Sequence, residues 1–323
     1  MDLRRVQETG GGTLLISLPK NWAQRCGLKR GSVVAVIKGK DGHLTVVPQY
    51  KIGKRVKRAV VFPSFHMVRE LTGKYLLGDD LIEIKSRTRL PSNIRRQIRG
   101  AARRLVGLEI IEEGPNKMLL QCLLEPSSFP PDRILHREHL LSFGMHKDAV
   151  ASFLKANRYL AEEVIERDEE VDRLYFLIVR VLRTAVLNPL LSEKIGLSLI
   201  DCLDYRLAAS FIESMGDQAV KIAQSVIKFS KNYISEVLLD HISRLNDLSY
   251  EIREKASQAF FSKSLRGIED FLEKNAVVKE LGENLEKELA KQDQNVISYV
   301  SSVASSLLRI CDYSFDLVDL VMP

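Results

Sequence analysis

Residues 166–182, ERDEEVDRLYFLIVRVL, show the pattern that governs the second half of the chain. Their apolar side chains recur at the three- and four-residue spacing of a helix with one buried face. Asp168 and Asp172 lie four residues apart, so a helix places both carboxylates on the same side. Similar segments continue to the end of the chain without a strand pattern. The sequence therefore predicts an antiparallel bundle of long helices over 138–323.

Helix-breaking residues divide this region into predicted helices. Their approximate ranges are 139–187, 193–229, 232–262, 264–291 and 294–321. Gly144 is a candidate interruption of the first helix.

Further carboxylate pairs repeat the same spacing on later helices. Glu213 and Asp217 lie four residues apart in ESMGDQAVKIA, and Asp312 and Asp316 do so in RICDYSFDLVD. Like charges at this spacing repel on an isolated helix, so their recurrence indicates a place where cations collect. Oxygen donors suit hard or borderline divalent metals. The alternative is a solvated acidic face that is paired with nearby arginines.

Length and composition limit the class of protein. A chain of 323 residues has room for two or three domains of about 150 residues or fewer. A content of 45% hydrophobic and 28% charged residues is that of a globular protein and excludes a collagen-like or disordered chain. We expect no membrane span and no secretory signal. The widely separated cysteines indicate free thiols, hence a cytoplasmic protein.

Catalytic patterns are missing from the sequence. It contains no nucleophile elbow, no Rossmann glycine motif and no HExxH pair. The scattered histidines are expected to be capping or surface groups. The chain is therefore predicted not to be an enzyme.

Charge is unevenly distributed along the chain. Residues 1–125 contain 24 Lys and Arg against 11 Asp and Glu, whereas residues 126–323 contain 24 against 31. A basic front joined to an acidic back indicates that the front faces a polyanion. Nucleic acid is the usual partner, because binding releases counterions from its phosphates. A solvated basic surface is the alternative.

Residues 1–50 alternate short strand-forming runs with glycine turns. The runs at 14–19, 32–39 and 42–49 are β-branched or alternate apolar with polar residues, and the Asp41–Gly42 dipeptide is a hairpin signal. Between the first two runs, KNWAQRCGL predicts a short helix that is preceded by Pro19 and ended by Gly27.

This arrangement resembles the AbrB/SpoVT-type swapped-hairpin domain, whose pattern is matched in order by LISLPK, GLKRGSVVAV and DGHLTVVP. The resemblance implies that two chains interleave as a homodimer. Basic tips in the turns and the short helix can reach DNA phosphates. The candidate DNA-binding residues are Arg4, Arg5, Lys20, Arg25, Lys29 and Arg30. A front that serves dimerisation alone is the alternative.

Residues 54–125 have a mixed pattern that predicts a βαβαββ domain. Strands are expected at about 57–62, 81–86, 108–113 and 117–125, with helices at 66–78 and 91–107. Arg95, Arg99 and Arg103 follow one face of the second helix and are called the arginine stripe. The stripe is a second phosphate-contacting surface, a patch for an acidic partner or a solvated face. The Pro- and Ser-rich segment that follows predicts a linker at 126–137.

The helical region resembles the PhoU family, whose helices carry a D/E-xxx-D signature. DEEVDRL at 168–174 and ESMGDQAVKIA at 213–223 match two of its motifs. The resemblance implies Zn, Fe or Mn held by carboxylates, and the matching positions are Asp168, Asp172, Glu213 and Asp217. In the second repeat Leu308 replaces the family's glutamate, so Asp312 and Asp316 match the pattern less well.

The combination resembles the archaeal type of phosphate-uptake regulator. It implies an α+β multi-domain protein: a cytoplasmic, phosphate-responsive, DNA-binding negative regulator of phosphate uptake. One alternative is a PhoU-type adaptor that modulates a phosphate transporter or signalling partner and uses the front only to dimerise. The other is a metal-dependent enzyme.

Overall fold

The computed structural model describes residues 3–39, 42–48, 56–228 and 234–321. The chain forms two compact units, Met1–Val56 and Lys57–Pro323. The turn residue Asp41 and the boundary expected between 50 and 54 lie outside the described residues.

The front unit contains hairpins and a short helix. Its strands pair in antiparallel fashion, β1 (Gln7–Glu8) with β2 (Leu14–Leu15) and β3 (Ala35–Lys38) with β4 (Leu44–Val47). Between the hairpins, α1 (Lys20–Arg25) is followed by Gly27 at φ 68°, a left-handed conformation that ends a helix. The strands are shorter than the apolar runs, and within the described ranges each is hydrogen-bonded to one neighbouring strand.

The second unit begins with a four-stranded sheet in the order β5–β6–β8–β7. The strands are β5 (Arg58–Val61), β6 (Leu81–Lys85), β7 (Leu108–Glu113) and β8 (Lys117–Cys122). The β5–β6 pair is parallel and the other pairs are antiparallel. Two helices, α2 (Met67–Leu76) and α3 (Ser92–Arg104), connect β5 to β6 and β6 to β7. The elements follow the predicted βαβαββ order.

Long helices make up the rest of the unit, as the sequence predicts. They are α4 (Pro131–Leu154), α5 (Arg158–Leu187), α6 (Pro189–Ile195), α7 (Leu199–Lys228), α8 (Glu236–Ser262), α9 (Phe271–Leu289) and α10 (Gln294–Asp319). α4, α5 and α7 pack on one another, and α10 packs against α7 and α8. In the described part of the chain, no helix is long and apolar enough to cross a membrane.

The predicted helix 139–187 is in fact two helices. Ala156 has φ 47°, and the Asn157 side chain caps α5 by accepting the backbone N–H of Leu160 at 3.1 Å. Gly144 does not interrupt α4. Because α4 begins at Pro131, the last part of the expected 126–137 linker is helical.

The predicted helix 193–229 is also divided. Gly196, at φ 71°, ends α6. Ser198 and Asp201 then bond reciprocally, each side chain accepting the other's backbone N–H at 2.9–3.1 Å, which caps the start of α7.

A buried arginine joins the sheet to the helices. Arg180 of α5 is 2% exposed and donates to the backbone carbonyls of Tyr75 and Asp79, at the C-terminal end of α2. Its guanidinium lies 4.7 Å from the centre of the Tyr75 ring. A buried cation therefore binds backbone carbonyls at and just beyond the end of α2, where the helix dipole favours positive charge, and the sheet and the helices share one core.

Candidate functional site

The predicted carboxylates lie where α5 and α7 pack closely. A Cβ added at Gly216 of α7 would be 3.4 Å from Ser142 Oγ on α4 and 3.6 Å from Val171 Cγ1 on α5. The glycine of ESMGD thus lets three helices approach. This packing brings Glu213 and Asp217 of α7 near the α5 pair, Asp168 and Asp172, and we call these four residues the carboxylate cluster.

Electrostatic repulsion among its members indicates that the side chains of the carboxylate cluster lie close together. Burial, followed by repulsion from Asp172 and Asp217, raises the pKa of Asp168 to about 6. Burial and repulsion from Asp217 and Asp172 likewise raise the pKa of Glu213 to about 7. The pKa of Asp217 is also raised, by burial first and then by Asp172. Packing thus holds acidic groups together at an electrostatic cost.

Glu138 on α4 adds a fifth acidic group that the sequence analysis missed. Its side chain is fully buried, and neither carboxylate oxygen has a hydrogen-bond partner among the described residues. Burial and then the nearby Glu213 carboxylate raise its pKa well above the ordinary value, while Arg206 opposes them. A signal was present in the sequence, since Glu138 takes an apolar position of α4, four residues after the buried Ile134.

One member of the carboxylate cluster is bound by the sheet domain. Arg104, at the end of α3, donates to Asp172 Oδ2 at 2.5 Å. No ion pair is made by Asp168, Glu213 or Asp217 with any residue that the structure describes. The interpretation as an acidic face paired with arginines therefore accounts for Asp172 and does not account for the other three members.

The donor chemistry of the carboxylate cluster fits a divalent cation, but its present geometry is not a closed cage. Within the described ranges, no three His, Cys, Asp or Glu side chains are arranged so that they could hold a metal ion. Binding at this site would require side chains to turn inward and Asp172 to share or leave Arg104.

The second candidate metal cluster, Asp312 and Asp316, has carboxylates from α10 alone. Asp316 of α10 has its pKa raised by burial, and the other contributions come from Asp319 and Asp312 on the same helix. No carboxylate from a neighbouring helix acts on Asp316. The departure from the family pattern at Leu308 agrees with this isolation.

The buried histidines correct another expectation. His139 is 8% exposed and His146 is fully buried, so neither is a surface group. Burial, followed by repulsion from Arg253, lowers the pKa of each to about 3.

The candidate DNA-binding residues lie on the front unit. Arg4 and Arg5 precede β1, Lys20 and Arg25 belong to α1, and the others follow that helix. All of them are exposed, namely Arg4, Arg5, Lys20, Arg25, Lys29 and Arg30.

Fold and site together define a class: a mostly helical protein with a cluster of carboxylates between packed helices, joined to a small sheet. Residues 135–226 match the family model of the PhoU domain. This range covers most of α4 and α7 and all of α5 and α6, including the whole carboxylate cluster, and it excludes Asp312 and Asp316.

Two solved structures are similar to more than half of the chain. The crystal structure of the phosphate transport system regulatory protein PhoU from Streptococcus pneumoniae is 16% identical, with TM-score 0.53, covering 59% of this chain and 91% of that chain. The crystal structure of PhoU from Pseudomonas aeruginosa is 21% identical, with TM-score 0.51, covering 59% and 93%. A search of curated proteins found no match. At these identities the likeness shows a PhoU-like fold.

Proposed function

We propose that this protein is a cytoplasmic PhoU-type regulator of phosphate uptake that acts as an adaptor rather than as an enzyme. Its helices would engage a phosphate transporter or a signalling protein. The observation that carries the proposal is the PhoU-domain match at 135–226, which contains the carboxylate cluster. The similar structure from Streptococcus pneumoniae, which is named as a phosphate transport system regulatory protein, supports it.

A divalent metal in the carboxylate cluster is part of this proposal. Asp168, Glu213 and Asp217 have raised pKa values and no ion pairs in the described structure, so a cation would relieve their repulsion. Zn, Fe and Mn are the candidates that the family resemblance implies. When bound, the metal would supply positive charge that fixes the facing sides of α5 and α7.

Phosphate uptake in cells tests the adaptor function. Deletion of the gene should raise uptake in phosphate-rich medium, and the wild-type chain should restore control. A variant with all six candidate DNA-binding residues changed to Gln should restore it equally, because an adaptor acts through its helices. Unchanged uptake after deletion would refute a role in uptake, and a loss of control confined to the front variant would favour a DNA-binding regulator.

DNA binding by the front unit remains a second candidate function, supported by exposure of all six basic residues. The comparisons support the helical region and provide no argument for this unit. If the front binds DNA, the logarithm of affinity should fall with the logarithm of salt concentration at a slope of about −0.9 per phosphate contact. The six-fold Gln variant should have a shallower slope in fluorescence anisotropy, and an identical slope would exclude these contacts.

A further inference from the structure

A cleft of about 970 Å³ lies between α3, the start of β7 and α5. Four arginines line it, together with two acidic residues: Arg99, Arg103, Arg104, Arg173, Glu109 and Glu169. Apolar groups line it as well, among them the buried Leu105 and Leu108 and the half-buried Phe176. Small-molecule sites are typically clefts of roughly 300–1,000 Å³ with apolar walls and a few polar groups.

The arginine stripe divides into two kinds of residue. Arg95 and Arg99 bind Glu113 at 2.5 and 2.8 Å, and Arg95 also donates to the carbonyl of Gly114 at 2.6 Å. These arginines hold α3 against the β7–β8 turn. Arg103, one turn beyond Arg99, makes no hydrogen bond or ion pair within the described parts of the chain.

A second arginine without a counter-ion faces the same cleft from another element. Arg173 of α5 lines the cleft and forms no ion pair or hydrogen bond with a described residue. Arg104 also lines the cleft and is bound to Asp172. Concave walls concentrate the potential of such charges, and a guanidinium binds phosphate oxygens through paired N–H groups.

We propose that this cleft binds a phosphate group, either as inorganic phosphate or on a small organic molecule, with Arg103 and Arg173 as its donors. Arg103 and Arg173 supply two positive charges that no described carboxylate pairs, and phosphate carries about −1.5 to −2 at neutral pH. Glu109 and Glu169 line the same cleft and oppose the anion. Arg104, which lines the same cleft, would join them in competition with Asp172. Anion binding would then free Asp172 for the carboxylate cluster. The proposal depends on the cleft alone and is independent of the role in phosphate uptake.

Calorimetry on the full-length protein tests the site, with inorganic phosphate and AMP as probes. Arg103→Gln and Arg173→Gln should each weaken binding about tenfold, the loss of a charge-assisted contact to phosphate. Arg96→Gln is the matched control, because Arg96 is exposed on the same helix but does not line the cleft. Tighter binding of AMP would identify an organic phosphate as the ligand, and equal or weaker binding would identify inorganic phosphate.

Three results would overturn the proposal. The first is that neither phosphate nor AMP binds the wild type at millimolar concentration. The second is that Arg96→Gln weakens binding as much as Arg103→Gln and Arg173→Gln do. The third is that Arg103→Gln and Arg173→Gln weaken the binding of duplex DNA but not the binding of phosphate or AMP. The cleft would then be a nucleic-acid contact. Thermal melting of every variant separates loss of binding from loss of folding.

Discussion

Asp168 and Glu213 keep acidic protons to a higher pH than free carboxyls do, because folding places them among other carboxylates. A divalent cation could replace those protons and relieve the repulsion. Bound metal stabilises the native state by RT ln(1 + [L]/Kd), about 2.7 kcal/mol at a hundredfold excess over Kd.

Metal should therefore raise the melting temperature of the wild type but not that of Asp168→Asn/Asp217→Asn. These two residues are chosen because Asp172 also binds Arg104. Scanning calorimetry with and without Zn²⁺, Mn²⁺ or Fe²⁺ provides the measurement. Glu166→Gln/Glu169→Gln, at exposed sites of α5, is the matched control and should respond as the wild type does. If no protein responds, the cluster is a solvated acidic face. If the cluster variant still responds, Asp312 and Asp316 become the next candidates.

His139 should impose a separate pH dependence on stability. Its folded pKa of about 3 lies below the unfolded value near 6.5, so the unfolded state binds more protons between these limits. Stability should be lost as pH falls through that window, by up to about 1.4 kcal/mol per pH unit for one histidine.

Urea denaturation at several pH values between 4.5 and 6.5 checks this. His139→Gln should flatten the curve relative to the wild type, and His66→Gln, at an exposed site, is the matched control. The carboxyl groups with raised pKa values make stability increase as pH falls in part of this range. The test is therefore the difference in slope between the wild type and His139→Gln. Parallel curves for wild type and His139→Gln would show that His139 does not titrate on unfolding.

Among the elements, α5 contributes both to the candidate site and to the shared core. Its first half contains Asp168 and Asp172 of the carboxylate cluster, and its second half contains the buried Arg180. Arg180→Met should destabilise the protein by about 2–4 kcal/mol, because the carbonyls of Tyr75 and Asp79 lose a charged donor. Urea denaturation provides the measurement. Arg183→Met, an exposed position on the same helix, should have an effect within about 0.5 kcal/mol. Equal effects of both variants would contradict a specific role for Arg180.

Sequence predicted the elements of the sheet domain well because glycine and proline mark their ends. It failed at 155–157, where Ala156 adopts a left-handed conformation that favours glycine and Asn157 was not recognised as a cap. At Gly144 the sequence predicted an interruption, but α4 continues through this residue.

From spacing, the candidate site could be predicted only one helix at a time, and the family resemblance was needed to group residues of α5 with those of α7. Spacing alone brought Asp168 and Asp172 together, and the second motif added Glu213 and Asp217. Arg104 and Glu138 were missed because they reach the site from helices that only tertiary packing brings near. Local periodicity marks Glu138 as a buried position, but it does not show which side chains of other helices lie beside it.

At the scale of the whole molecule, the front unit leaves its apolar side chains uncovered. Leu14, Ile16, Val36 and Leu44 are 67%, 61%, 55% and 62% exposed. Exposed apolar strands of this kind are an association surface. We therefore retain the prediction of a homodimer held by the front.

Light scattering on the full-length chain tests that prediction. The wild type should be a dimer at micromolar concentration, and Ile16→Asp/Leu44→Asp should shift it to the monomer because charge is costly in an apolar interface. Val237→Asp, at an exposed apolar position of α8, should leave the dimer intact. A monomeric wild type, or a dimer that tolerates the front substitutions, would rule out this interface.

The buried arginine of α5 decides where the protein can be cut into fragments. A fragment that starts at residue 126 would keep Arg180 but remove the carbonyls it binds, and would expose the apolar surface on which α2 rests. A fragment that starts at Lys57 keeps both partners. Studies of the PhoU-like region in isolation should therefore retain the sheet, or they will report on a damaged core.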